Sequence, residues 1–266
     1  MTFSFHIRHE VTPERSREVF DSIAVGSGYD HVTQPERQET RLRQLGLVAS
    51  GGLTSKGQAV QSACARTPAL WGDLLHYLHY GLWDAHAPLE NVFSWTYRHF
   101  ADYLWRAGNV CLDDSFWEPV VGFFIGEIEA SQQFGEAVGS TTREGSVSLS
   151  KFSLIGATHW LKAVSPPVIE NGVFARRHFC PPELMVLAMC WVGQTLGGEL
   201  GVDFLLTPER REAICRLCLL EPAALDRVLD WTLPLHPAIV RPGTGAGVYG
   251  RFIRFLEWPE LQDLLH

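Results

Sequence analysis

Apolar residues recur at three- and four-residue spacing through most of the chain, and strand-like runs are short and few. The stretch "TPERSREVFDSIAVGSG" opens with Thr12 as a helix cap, Pro13 and Glu14 in the first turn, and Val19, Phe20 and Ile23 on one stripe before the Gly26-Ser27-Gly28 break. "TQPERQETRLRQLGLV" repeats the device: Thr33 caps, Pro35 and Glu36 open a helix, Leu42 and Leu45 face inward, and Gly46 stops it. "LGLVASGGLTSKGQAV" then reads as strand, turn, strand and the start of another helix. Helix, helix, hairpin and helix is the order of a winged helix, with the second helix as the reader.

The pattern predicts two aromatic-rich helices next, "ALWGDLLHYLHYGLW" and "LENVFSWTYRHFADYLWRAG". Aromatics at helical spacing, with Trp95, His99 and Tyr103 on one row and Phe93, Tyr97, Phe100 and Leu104 on another, are read as core. "PVVGFFIGEIEASQQFGEAVG" is expected to add a helix, and "SKFSLIGATHWLKAV" another after a polar linker. The C-terminus echoes the start in pattern, without a residue-level repeat. Thr207 caps "PERREAICRLCLL", a second helix follows Glu221-Pro222, and strands over 238–241 and 248–255 flank a glycine-rich loop before a closing helix, "WPELQDLLH".

The expected fold is therefore mainly α, with winged helix-turn-helix modules at both ends, small hairpin wings and a helical middle. The expected division is an N-terminal winged helix over 1–66, an aromatic-rich helical middle over 67–138, a linker over 139–150, and a C-terminal region over 151–266 holding the second module.

At 266 residues and 46% hydrophobic, the chain has enough apolar side chains for a sizeable core. No apolar run reaches the roughly 20 residues that span a bilayer, and the start lacks an export signal, so a cytoplasmic bacterial protein is expected. Scattered cysteines in that setting read as buried thiols.

The net charge of -8 argues against non-specific coating of DNA. The distribution matters more: residues 1–66 hold eight Lys or Arg against seven Asp or Glu, and 207–266 hold seven against eight. Residues 67–206 hold seven against fifteen, so both ends are locally neutral and leave room for a basic face.

Candidate chemistry is sparse. Cys180, Cys215 and Cys218 with His178 offer zinc-type ligands, but Cys215 and Cys218 fall inside a capped helix among Ile214, Leu217 and Leu219, which favours core thiols. His76, His79, His86 and His99 lack a metalloprotease glutamate and read as aromatic-core or capping histidines. "GTGAG" at 243–247 is followed by a strand rather than a helix, so it reads as a wing loop and not a dinucleotide loop. "SLSK" at 148–151 lacks the companion motifs of a serine acyl-enzyme. No catalytic constellation, metal or cofactor is expected.

The DNA-reading candidates are Arg37, Gln38, Arg41 and Arg43 on the second helix, with Arg37, Gln38 and Arg41 on the face opposite its leucines, and Lys56 in the wing. Arginine pairs with guanine or phosphate, glutamine reads adenine, and a wing lysine meets backbone. Arg227, Arg241, Arg251 and Arg254 are candidates for a second groove. Against them stands a plain solvated face interleaved with Glu36 and Glu39.

The stretches "FHIRHE", "VGSGYDHVTQPERQETRLRQLGLV", "GGLTSKGQAV" and "LHYGLWDAHAPLENVFSWTYRHF" resemble the bacterial family called domain of unknown function 4007, over roughly the first 100 residues. The opening differs from that family's pattern, keeping only His9 and Glu10 of it. The resemblance implies an accessory protein of loci for DNA phosphorothioation and phage defence, and carries no catalytic residues. The function expected is a non-enzymatic DNA-binding accessory or regulator of such a system. The alternative is an adaptor or scaffold that uses winged helices without touching DNA. Expected partners are double-stranded DNA and other subunits of the complex, with a second copy of the chain left open and no membrane.

Overall fold

The computed structural model describes residues 5–131, 149–244 and 250–261. The chain is mainly helical with three small antiparallel sheets among these residues. Helix α1 (Pro13–Ala24) is capped by Thr12, whose hydroxyl accepts from the Arg15 amide at 3.4 Å. Helix α2 (Pro35–Gln44) starts at the proline, but Thr33 is not its cap. Gln34 holds the boundary in a left-handed conformation, φ 53°, with no side-chain cap, so the rigid φ of Pro35 sets the start instead. Gly46 ends the helix at φ +72°, a conformation that other residues rarely adopt.

The hairpin of β1 (Val48–Ala49) and β2 (Gly52–Leu53) follows, two residues per strand, then α3 (Ser55–Arg66). Thr54 caps α3 by accepting from the Gly57 amide at 3.0 Å and donates to the Gly46 carbonyl at 2.6 Å. The aromatic helices are α4 (Leu70–Gly81) and α5 (Val92–Ala107). Helix α6 (Asp114–Ala130) begins five residues before the expected Pro119, because Asp113 accepts from the Ser115 amide and Asp114 sits in the first turn. The expected linker falls outside the described residues except for Leu149, which is buried, and Ser150.

Helices α7 (Lys151–Lys162) and α8 (Pro182–Thr195) bracket β4 (Ile169–Glu170) and β5 (Val173–Phe174), which join β3 (Val110–Cys111), from between α5 and α6, in a sheet that the pattern did not reveal, ordered β3-β5-β4. The equally short β1–β2 hairpin was marked by its Gly-Gly turn; β4 and β5 carry a comparable mark in Asn171-Gly172, both at positive φ, which the pattern reading passed over. The C-terminal part runs β6 (Asp203–Leu205), α9 (Pro208–Cys218), a 3-10 turn at Pro222–Ala224, α10 (Leu225–Thr232), a 3-10 turn at Leu233–Leu235, β7 (Val240–Thr244) and β8 (Arg251–Phe255). Strand β8 lies between β6 and β7. The expected closing helix lies outside the described residues beyond Leu261, as does most of the glycine-rich loop.

One apolar core runs from Phe5 to Leu261 and crosses every expected boundary. Helix α8, buried on nearly all sides from Leu184 to Gly193, passes through it and packs on α4, α9 and α10. Two glycines permit close helix contact there. A methyl on Gly72 of α4 would lie 1.8 Å from the Ala163 carbonyl oxygen, and one on Gly156 of α7 would lie 2.3 Å from that of Ile7. No helix among the described residues is long and apolar enough to cross a membrane.

Candidate functional site

The expected reader helix turns part of its polar side inward. Gln38 is fully buried: its Oε1 accepts from the Ser16 hydroxyl at 2.9 Å and its Nε2 donates to the Glu10 carbonyl at 3.0 Å. It clamps α1 and the N-terminal segment to α2. Arg41 is 5% exposed and lies with Cζ 3.7 Å from the centroid of the Phe93 ring of α5. Burial, reinforced by nearby Arg8, pushes its guanidinium down to about 9. The expectation that Gln38 and Arg41 share an outward face is therefore corrected. A ten-residue helix wedged between α1, the N-terminal segment and α5 has two covered sides, and the leucine stripe marked only one.

Of the other N-terminal candidates, Arg37 and Arg43 are more open but engaged. Arg37 donates to Glu10 at 2.7 Å, and Arg43 pairs with Glu39, which also accepts from the Tyr29 hydroxyl at 2.6 Å. Lys56 lies in the first turn of α3 rather than in the wing, because capping by Thr54 starts the helix directly after β2.

At the C-terminal end Arg251 reaches Asp226 at 3.5 Å and Asp230 at 2.7 Å, and Arg254 holds Asp203 through Nε and Nη2 at 2.8 and 2.6 Å. Arg211 pairs with Asp226 through two bonds, of 3.0 and 2.6 Å. Exposed pairs of this kind contribute only about 0.2–1 kcal/mol each. What matters is that carboxylates occupy the positions a phosphate would take, which cancels the local field. Arg227 only touches the His178 carbonyl at 3.4 Å, and Arg241 is exposed opposite Arg254 in the β7–β8 register.

The sequence reading missed an apolar surface. Leu225, Val228, Leu229 and Thr232 form the buried stripe of α10, which leaves Asp226, Arg227, Asp230 and Trp231 outside. Trp231 is 58% exposed and its ring lies 6.0 Å from that of Phe179, itself 36% exposed. Leu235, one turn further, is 62% exposed. The signal was in the pattern: Trp231 falls off the 3.6-residue stripe that the other apolar positions of α10 define.

Five of the six thiols and three of the four candidate histidines pack against the core, while Cys111, at the end of β3, is exposed and departs from the buried-thiol reading. Cys180, Cys215 and Cys218 are buried and free, and burial raises Cys215 to about 12. Among the described residues no three His, Cys, Asp or Glu side chains converge in a metal-binding arrangement. His76 is fully buried. Its Nε2 lies 2.7 Å from the Leu217 carbonyl, which only accepts, so Nε2 carries the hydrogen and Nδ1 accepts from the Tyr97 hydroxyl at 2.8 Å. His79 is buried against Trp160, with ring centroids 4.4 Å apart, and His99 stacks on Trp95 at 4.1 Å. His86 departs from the core reading: it is exposed, and its backbone amide donates to Asp84.

No family model matches the chain, and neither does any curated protein or solved structure. Fold and surface define the class: a mainly helical protein with small antiparallel sheets, arginines of which many are paired with carboxylates of the same chain, and an exposed aromatic patch.

Proposed function

We propose that this chain is a non-enzymatic protein-interaction adaptor, with winged helices at both ends turned to protein rather than DNA contact, acting as a subunit of a bacterial defence or DNA-modification assembly. The order α8, β6, α9, α10, β7, β8, with β8 between β6 and β7, supports a C-terminal winged helix, in which α10 would be the reading helix. The observation that carries the proposal is what α10 exposes: Trp231 beside Phe179 and Leu235, with Asp226 and Asp230 on the same helix. A helix that reads DNA presents cations to phosphates, whereas exposed tryptophan is the side chain most enriched at the energetic centres of protein interfaces.

The partner surface that fits is an apolar segment bearing a carboxylate, because Arg227 stands one turn from Trp231 without an acidic partner among the described residues. A displayed library of short peptides tests this. Peptides with an apolar core and a flanking acid are expected to bind the full chain, and to lose about tenfold or more in affinity on Trp231→Ala. A library that yields no binder sensitive to Trp231→Ala would overturn the assignment.

The second reading is DNA contact, which Lys56, Arg227 and Arg241 favour, since none of them has a carboxylate partner among the described residues. A titration of duplex binding against salt decides it. The adaptor gives no binding or a flat response, and the DNA reader gives a steep loss of affinity with salt that Lys56→Ala, Arg227→Ala and Arg241→Ala each make shallower.

A further inference from the structure

A groove of about 440 Å³ runs between α5 and α6, on different elements from the Trp231 patch. That size lies within the roughly 300–1,000 Å³ that small-molecule sites occupy. One face of α5 supplies His99, Asp102, Tyr103 and Arg106, and α6 supplies Phe123 and Glu127. The lining divides into three chemistries. The first is an aromatic wall on which Phe123 presents one exposed ring, tilted by 43° to Tyr103 and edge-on to Phe124. Phe123 is 48% exposed, and its ring lies 5.5 Å from that of Tyr103 and 5.3 Å from that of Phe124.

The second is a set of acceptors. His99 Nδ1 lies 2.9 Å from the Trp95 carbonyl and so donates its hydrogen there, leaving Nε2 as an acceptor with no donor among the described residues. Burial pushes His99 down to about 4, which keeps that acceptor available at neutral pH. Asp102, under the groove, is fixed from below: the Tyr80 hydroxyl donates to Oδ1 at 2.6 Å and Arg216 to Oδ2 at 3.2 Å. The third is a cation at the mouth. Arg106 is exposed, takes part in no ion pair among the described residues, and lies two helical turns from His99, about 10 Å along the axis.

We propose that this groove binds a nucleotide, with the base stacked on the exposed Phe123 ring and its edge against Tyr103, its ring or amino N–H groups donating to His99 Nε2 and Glu127, and its phosphate on Arg106. A purely apolar ligand would leave His99 and Arg106 unmatched, and a simple anion would leave the exposed Phe123 ring in water. A base, a sugar and a phosphate in line satisfy all three. Arginine suits the phosphate end because its planar fork matches the oxygens. Stacking of a base on an aromatic ring is tolerant of base identity, so a preference among bases has to come from His99 and Glu127.

The test is calorimetric titration of the full chain with adenosine, guanosine, cytidine and uridine monophosphates in turn. At least one is expected to bind at millimolar concentration or tighter. Phe123→Ala should weaken it about tenfold or more, the scale of losing one base stack. Arg106→Ala should weaken the monophosphate while leaving the matching nucleoside unchanged. Both side chains are exposed, so both variants should melt as the parent does, which separates lost binding from lost fold. Competition by a single-stranded oligonucleotide would assign the nucleotide to a strand, and lack of competition would assign it to the free pool. Failure of all four monophosphates to bind, affinity unchanged in both variants, or tighter binding of free tryptophan than of any nucleotide overturns the proposal.

Discussion

Arg41 and His76 show what burial does to single ionisable groups. Arg41 lies over the Phe93 ring with Nη1 buried and unpartnered, and no carboxylate is paired with it among the described residues. The ring face recovers on the order of 0.5–2 kcal/mol, less than removing the charge from water costs. Arg41→Met keeps the stem and drops the charge, so it is expected to raise stability by about 1–3 kcal/mol, read as a shifted urea midpoint at constant slope. A loss of similar size would mean that the guanidinium is held by more than the ring. His76 is neutral when folded, because burial lowers it from 6.5 to about 3, and burial takes His79 well below its ordinary value too. The unfolded chain then binds more protons once pH drops below 6.5, the ordinary histidine value. Stability from this source is full above that pH and falls on acidification toward 3, at up to about 1.4 kcal/mol per unit for each such histidine. Denaturation at a series of pH values checks the slope, and a flat profile between neutral and pH about 5 would show that neither group is held neutral.

Between elements, backbone approach decides the geometry. Helix α4 meets the end of α7 at Gly72, where a Cβ would fall 1.8 Å from the Ala163 oxygen, whereas Gly122 on the outer face of α6 has open space around it. Gly72→Ala is expected to cost about 1–3 kcal/mol or more because backbone has to move, and Gly122→Ala to stabilise by about 0.5–1 kcal/mol by favouring the helix. Thermal melts of the two variants should shift in opposite directions, and equal shifts would count against close packing of α4 on α7. The same scale explains which elements the sequence disclosed. Thr12, Pro13, Thr207 and Pro208 mark α1 and α9 by local chemistry that any context preserves. Strand β3 pairs only because residues 110–111 meet 173–174 across the fold, which no local signal records, whereas β4 and β5 close on Asn171-Gly172, both at positive φ, a local hairpin signal that the sequence reading passed over.

Across the whole molecule, the Asp73–Arg177 pair ties the middle helices to the C-terminal half. Asp73 of α4 and Arg177 are buried at 2.7 Å. Arg177 also donates to the Ser165 and Cys218 carbonyls, and Asp73 accepts from the Ser165 amide. Breaking it one-sidedly with Asp73→Asn is expected to cost about 3–5 kcal/mol, and Asp73→Leu combined with Arg177→Met clearly less, because the double change leaves no charge unpaired. Since α4 and α5 pack on α7, α8 and α9, tryptophan fluorescence and circular dichroism should report one coincident unfolding transition. Two separated transitions would mean that the middle and C-terminal parts fold as independent units.

The sequence by itself determined the helical class, the caps and breakers at the ends of α1 and α9, the thiols of α9 as core and the aromatic rows of α5, because these depend on periodicity and on groups a few residues apart. The candidate groove was not legible: His99 and Tyr103 were read as core with Trp95, yet only Trp95 is buried and the other two line the groove. Tertiary structure decided which polar residues face water. Gln38 and Arg41 look like a solvent face on a helical wheel, yet Ser16, the Glu10 carbonyl and the Phe93 ring arrive from elsewhere in the chain to cover them. Tertiary structure equally left Trp231 exposed, because among the described residues no segment packs fully over the outer side of α10, and a wheel records only its own helix.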